Sequence, residues 1–196
     1  MAGLATAAGC SSSASTPAPP STVTVTASPS APAASASAPA SSPAGTPAVA
    51  GAAACPTSSL QVKLGLGQGY AGGTYQVIDF TNTGSTSCTL LGFPGVSLVS
   101  GPAPYAQIGL AAKRNHSAPV KLITLAPGVT ANALLQIVDA LNFPASSCGP
   151  LKATHLRIYP PNQKAPVYLP SAAQGCTKSS QVLFISAVAA GSGGNS

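Results

Sequence analysis

Residues 11–54 contain only Ala, Ser, Pro, Thr, Val and Gly, with no charge and no aromatic ring. Such a stretch has no large side chain to bury, so nothing offsets the entropy of ordering it. It is expected to be a disordered, low-complexity tether. Any core is therefore confined to the remainder of the chain. All eight Lys and Arg, both acids and every Tyr and Phe lie beyond residue 54 of the 196-residue chain. Residues 55–188 are long enough for one domain with its own core, and residues 189–196 read as a flexible Gly/Ser tail.

The domain alternates with period two between turn signals. In "LQVKLGL", Leu60, Val62, Leu64 and Leu66 fall on one face and Gln61 and Lys63 on the other. "TYQVIDFTN" is a second strand ending at the Asn82-Thr83-Gly84 turn. "GVSLVS", "APVKLITLA", "TANALLQIVDA", "THLRIYP" and "QVLFISAVA" supply more. "ANALLQIVDAL" suits a helix by composition, but its place after a Pro-Gly turn favours a strand. Phe93-Pro94-Gly95-Val96 and Ala126-Pro127-Gly128-Val129 both read as type II turns, Pro setting φ and Gly accepting a positive one. Short strands between Gly and Pro turns predict an all-β fold, an antiparallel, immunoglobulin-like β-sandwich, with a small barrel as the rival. The lack of Trp argues against an antibody-type domain.

Five cysteines leave one over. "LATAAGCSSS" places Cys10 after a small-residue run, which resembles the lipobox of bacterial lipoproteins, although Ala7 stands where Leu or Val is usual. The resemblance implies that Cys10 carries a lipid, so that residues 11–54 tether the domain to a membrane. Only nine residues precede Cys10, none basic, so residues 1–10 are expected to be the remnant of an export signal that begins upstream. A tether of about 44 residues spans roughly 35–40 Å as a coil and up to ~135 Å as polyproline II.

Cys55, Cys88, Cys148 and Cys176 remain, and two disulfides are the default for an exported domain. The residues alone permit three pairings. A reactive Cys88 would need a neighbouring base, and the histidines, His116 and His155, are distant in sequence. "TYQVIDFTNTGSTSCTLLGFPGVSL", "LAPGVTANALLQ" and "LRIYPPNQ", with the four cysteines around them, resemble the secreted actinobacterial family called domain of unknown function 4232 over residues 55–188. The resemblance implies a β-rich domain without assigned activity, behind a signal peptide or lipobox and a linker. It also implies that neighbours pair, Cys55–Cys88 and Cys148–Cys176, each closing a loop of about thirty residues.

Asp79 and Asp139 are the only acids against eight basic residues. The surface should attract anions. The basic residues are scattered and not interleaved with aromatics, which is unlike a nucleic-acid footprint. The expected partners are instead a membrane, through the lipid on Cys10, and an anionic envelope polymer or another envelope protein. Two spots suit anion or glycan binding. One is the row His155, Arg157 and Tyr159, which alternation puts on one face of "THLRIYP"; the other is Lys113, Arg114 and His116 in the loop "KRNHS".

Other chemistry finds little purchase. "GQGYAG" matches G-x-G-x-x-G, but a strand comes next where a dinucleotide site needs a helix, so its glycines are assigned to a hairpin loop. There is no G-x-S-x-G elbow, no His pair at metal-ligand spacing, and no implied cofactor. The expectation is a non-catalytic β-sandwich outside the cytoplasm that acts as a binding or structural module. The alternatives are a cell-wall hydrolase, which needs Asp79 or Asp139 beside a histidine, and a carrier of a lipid or small apolar ligand, which needs a cavity between the sheets.

Overall fold

Alternation becomes strands throughout the computed structural model, which describes residues 51–193. In chain order these are β1 (Leu60–Tyr70), β2 (Gly73–Asn82), β3 (Cys88–Leu91), β4 (Gly95–Ser100), β5 (Ala106–Ile108), β6 (Lys113–Asn115) and β7 (Leu122–Leu125). Next come β8 (Thr130–Val138), β9 (Pro150–Lys152), β10 (His155–Tyr159), β11 (Val167–Pro170), β12 (Gln174–Cys176), β13 (Leu183–Ser186) and β14 (Ala189–Ala190). Two 3-10 turns, Thr57–Ser59 and Ala140–Asn142, are the only helical segments among the described residues.

The fold is an all-β sandwich. One sheet has the order β1-β2-β8-β13-β6, with β14 also paired to β8; the other is β11-β10-β4-β5. The strand pairs are antiparallel except β6 with β13. Two ribbons, β3–β7 and β9–β12, complete it. Ile78, Phe80, Leu135 and Ile185 of the first sheet and Val96, Leu98, Leu156 and Ile158 of the second are buried in one cluster. "TANALLQIVDA" is strand β8, not helix: it lies between β2 and β13 and buries Ala131, Ala133 and Leu135 on a single face.

Three local expectations change. Leu66 is 60% exposed, not on the inner face with Leu60, Val62 and Leu64. Leu64 pairs with Ile78 but Gly67 pairs with Gln76, so β1 carries one extra residue, and a bulge flips the residues after it to the opposite face. Gln76 Nε2 stabilises the bulge by donating to Gly65 O at 2.9 Å. The glycines of "GQGYAG" mostly lie in β1; the hairpin turn itself is Ala71-Gly72. Gly128 has φ +78° and Val129 N donates to Ala126 O at 3.0 Å, as a type II turn requires. Gly95 instead opens β4 opposite Tyr159 and has no positive φ, so Phe93–Val96 is not that turn.

Cys55 is bonded to Cys88 and Cys148 to Cys176, with Cα separations of 4.8 and 4.5 Å. The first ties the chain entry to β3, the second ties β12 to the segment before β9. Ordered structure reaches past both expected boundaries. Thr89 N donates to Ala53 O at 2.8 Å. At the other end Ala189–Ala190 pair with β8, and Gly193 N donates to Asp79 Oδ1. Cys10 and residues 11–50 of the tether lie outside the described residues.

Candidate functional site

His155, Arg157 and Tyr159 stand on the outer face of β10, while Leu156 and Ile158 enter the core. β10 is an interior strand, with β11 on one side and β4 on the other. Register sets Tyr168 of β11 opposite Arg157, and Ser97 and Val99 of β4 opposite Arg157 and His155. Tyr105, in the loop leading into β5, packs across this sheet. Its ring centroid is 4.6 Å from that of His155 and 4.9 Å from that of Tyr168. Ser97 and Val99 are buried beneath the layer although they face away from the core.

Rings and a guanidinium form one surface there. Arg157 lies 5.7 Å from the Tyr159 ring centroid, and its Nη2 donates to Gln107 Oε1 on β5. Its Nε is buried without a hydrogen-bond partner, alone in this among the side-chain atoms of the described residues. An unpaired buried donor costs about 1–3 kcal/mol. His155 Nδ1 lies 3.0 Å from Thr154 Oγ1. Flat rings offer apolar contact area, and the guanidinium offers a planar fork of donors. The pairing suits a sugar ring that carries an anionic substituent.

Alternation in the sequence put His155, Arg157 and Tyr159 on one face, as in the structure, but gave no place there to Tyr105, Gln107 and Tyr168. Tyr168 left a signal: "PPNQKAP" between "LRIY" and "VYLP" is a hairpin connection, and pairing across it brings Tyr168 to Arg157. Tyr105 left none, because only the tertiary path of its loop carries it over the sheet.

Lys113, Arg114 and His116 form a separate cluster. Lys113–Asn115 is not a loop but β6, parallel to β13 at the edge of the first sheet. Charged residues suit an exposed edge because they discourage further pairing. The Arg114 guanidinium lies 5.6 Å from the Phe93 ring centroid, and the His116 ring 4.7 Å from it.

Neither aspartate meets a histidine. Asp79 shares the outer face of β2 with Tyr75 and Val77 and accepts from Gly193 N at 3.1 Å. Asp139 accepts from Leu141 N at 2.9 Å and caps the Ala140–Asn142 turn. A cleft of about 910 Å³ opens beside Asp139, lined among others by Leu64, Ile137, Leu156, Tyr70, Gln76 and Lys152. No three His, Cys, Asp or Glu side chains gather as a metal-binding group among the described residues. No helix there is long and apolar enough to cross a membrane.

Residues 55–188 match the family described as a domain of unknown function, DUF4232. No curated protein and no solved structure matches the chain.

Proposed function

We propose a function from the premise that the chain belongs to the DUF4232 family. The domain is a non-catalytic binding module outside the cytoplasm, held to the membrane by a lipid on Cys10. Its outer face of Tyr105, His155, Arg157, Tyr159 and Tyr168 binds an anionic glycan of the cell envelope. The observation that carries the ligand class is the cluster of tilted Tyr105, His155 and Tyr168 rings on the face that also holds the Arg157 guanidinium. Two disulfides support an oxidising compartment, and a net charge of +6 supports a polyanionic partner.

Affinity electrophoresis through gels containing polygalacturonate, a uronic-acid polymer, tests the ligand class, with neutral dextran as control. Retardation is expected only with the acidic polymer. Tyr168→Ala and Arg157→Gln should each weaken it roughly tenfold, and Lys152→Gln, away from the face, should not. Equal retardation of all variants, or none for the parent, overturns the assignment. Mass spectrometry of the protein from its native host tests the anchor: an acylated, N-terminal Cys10 is expected, and an unmodified Cys10 in the mature protein removes the tether.

The cleft beside Asp139 favours a second reading, a carrier of a small amphiphile, because apolar Leu64, Ile137 and Leu156 and the cation Lys152 are all among its lining residues. Co-purification of a fatty acid, displaced by Leu156→Trp, would favour that reading over glycan binding.

A further inference from the structure

We propose that a second face, built on Leu91, Phe93, Arg114, His116, Lys121 and Leu122, rests on an anionic lipid bilayer. The inference goes beyond glycan binding and does not need the lipid on Cys10.

The face is continuous in the fold. Leu91 of β3 pairs with Leu122 of β7. Two residues after Leu91, the Phe93 ring carries both Arg114 and His116. Gly92 between them accepts a hydrogen bond from Val188 N at 2.9 Å, which fixes this strip against the chain beyond β13. Lys121 borders a shallow hollow of about 290 Å³ closed by Ala187–Ala190.

Its chemistry is amphipathic in a way ordinary solvated surface is not. Leu122 is 61% exposed and Leu91 44% exposed, side by side on paired strands. Single exposed leucines need no explanation, but an adjacent pair, with Lys121 next in the chain and Arg114 on the nearby Phe93 ring, matches the composition of interfacial membrane contacts. The cations lack acidic neighbours, because both aspartates lie on other elements, bonded to backbone N–H groups of Gly193 and Leu141. A bilayer with anionic headgroups satisfies both halves: the cations meet phosphates and the leucines enter the acyl boundary. An acidic protein would match the charge but would leave the leucines without a pocket.

The path of the chain agrees. Ala52 and Ala53 accept hydrogen bonds from Thr89 of β3, the strand that also carries Leu91. The segment leading back to Cys10 thus joins the domain on the strand that builds the proposed face.

The test uses the full chain with Cys10→Ser, so that no lipid contributes, in co-sedimentation with vesicles. Binding is expected to vesicles of mixed phosphatidylglycerol and phosphatidylcholine, weakening as salt rises, and little is expected to phosphatidylcholine alone. Arg114→Gln with Lys121→Gln should lower partitioning about 30-fold. Leu122→Ser, at an exposed position that tolerates polarity, should lower it roughly tenfold at unchanged thermal stability. Arg157→Gln, on the glycan face, should leave it unchanged, which separates this proposal from the glycan reading. No preference for the anionic vesicles, an unaltered affinity in both face variants, or capture by soluble polyglutamate as strong as by vesicles would overturn it.

Discussion

Asn82 ends β2 fully buried, and both ends of its amide are matched. Its Nδ2 donates to Thr86 O and Leu125 O, both at 2.9 Å, and its Oδ1 accepts from Gly84 N at 2.9 Å. One side chain thereby ties β2, the loop before Cys88 and β7 together. Removing it strands the buried Leu125 carbonyl and leaves the partly buried Thr86 carbonyl and Gly84 N–H without this partner. Asn82→Ala should lower the unfolding free energy by about 3 kcal/mol, read as a shift of the urea midpoint at unchanged slope. Asn-Thr-Gly is legible as a turn in the sequence because Asn and Gly relieve backbone sterics there. That Asn82 is also a buried hub was not, since Leu125 lies 43 positions away. Gly109 belongs to the same class. Its φ is +60°, and a Cβ there would sit 1.9 Å from Cys176 O, a close approach that no local pattern announces.

At the scale of elements, period two was readable wherever a strand has one buried face. β8 and β10 obey it, because side chains on a pleated strand alternate between core and solvent, while β2 also buries Val77 on its outer face. It breaks in β1, where the extra residue between Leu64 and Gly67 inverts the faces. Substitution tests the inversion directly. Leu135→Ala, in the core, should cost about 2–5 kcal/mol, whereas Leu66→Ala should cost under about 0.5 kcal/mol. Thermal or urea unfolding of the two variants distinguishes the bulged register from unbroken alternation, in which both leucines would be costly. The shortest strands, β5, β6, β9 and β12, have three residues each. Three residues carry too little periodicity to be recognised, and pairing with a partner already in place creates them.

For the molecule as a whole, the disulfides close loops of 33 and 28 residues in sequence separation. Each limits the unfolded chain and should stabilise the domain by about 3.5 kcal/mol. Converting either pair to alanines should lower the melting temperature by roughly 10 °C, and calorimetry under oxidising conditions checks it; a shift of a degree or two would mean that the sheets hold without them. The outer face of β10 is likewise a property of the whole fold. Alternation alone put His155, Arg157 and Tyr159 together, since neighbours two apart on one strand share a face whatever surrounds them. Tyr105 and Tyr168 joined them only through strand order and the course of a loop. By itself the sequence determined the all-β class, the confinement of the large apolar side chains to the chain beyond residue 54, and the turns at Asn82–Gly84 and Ala126–Val129, because composition, periodicity and backbone sterics are local. Tertiary structure alone decided strand order, the bulged register of β1, and which rings and cations became neighbours. Those depend on contacts between residues far apart in the chain, whose pairing is chosen by the free energy of the complete fold.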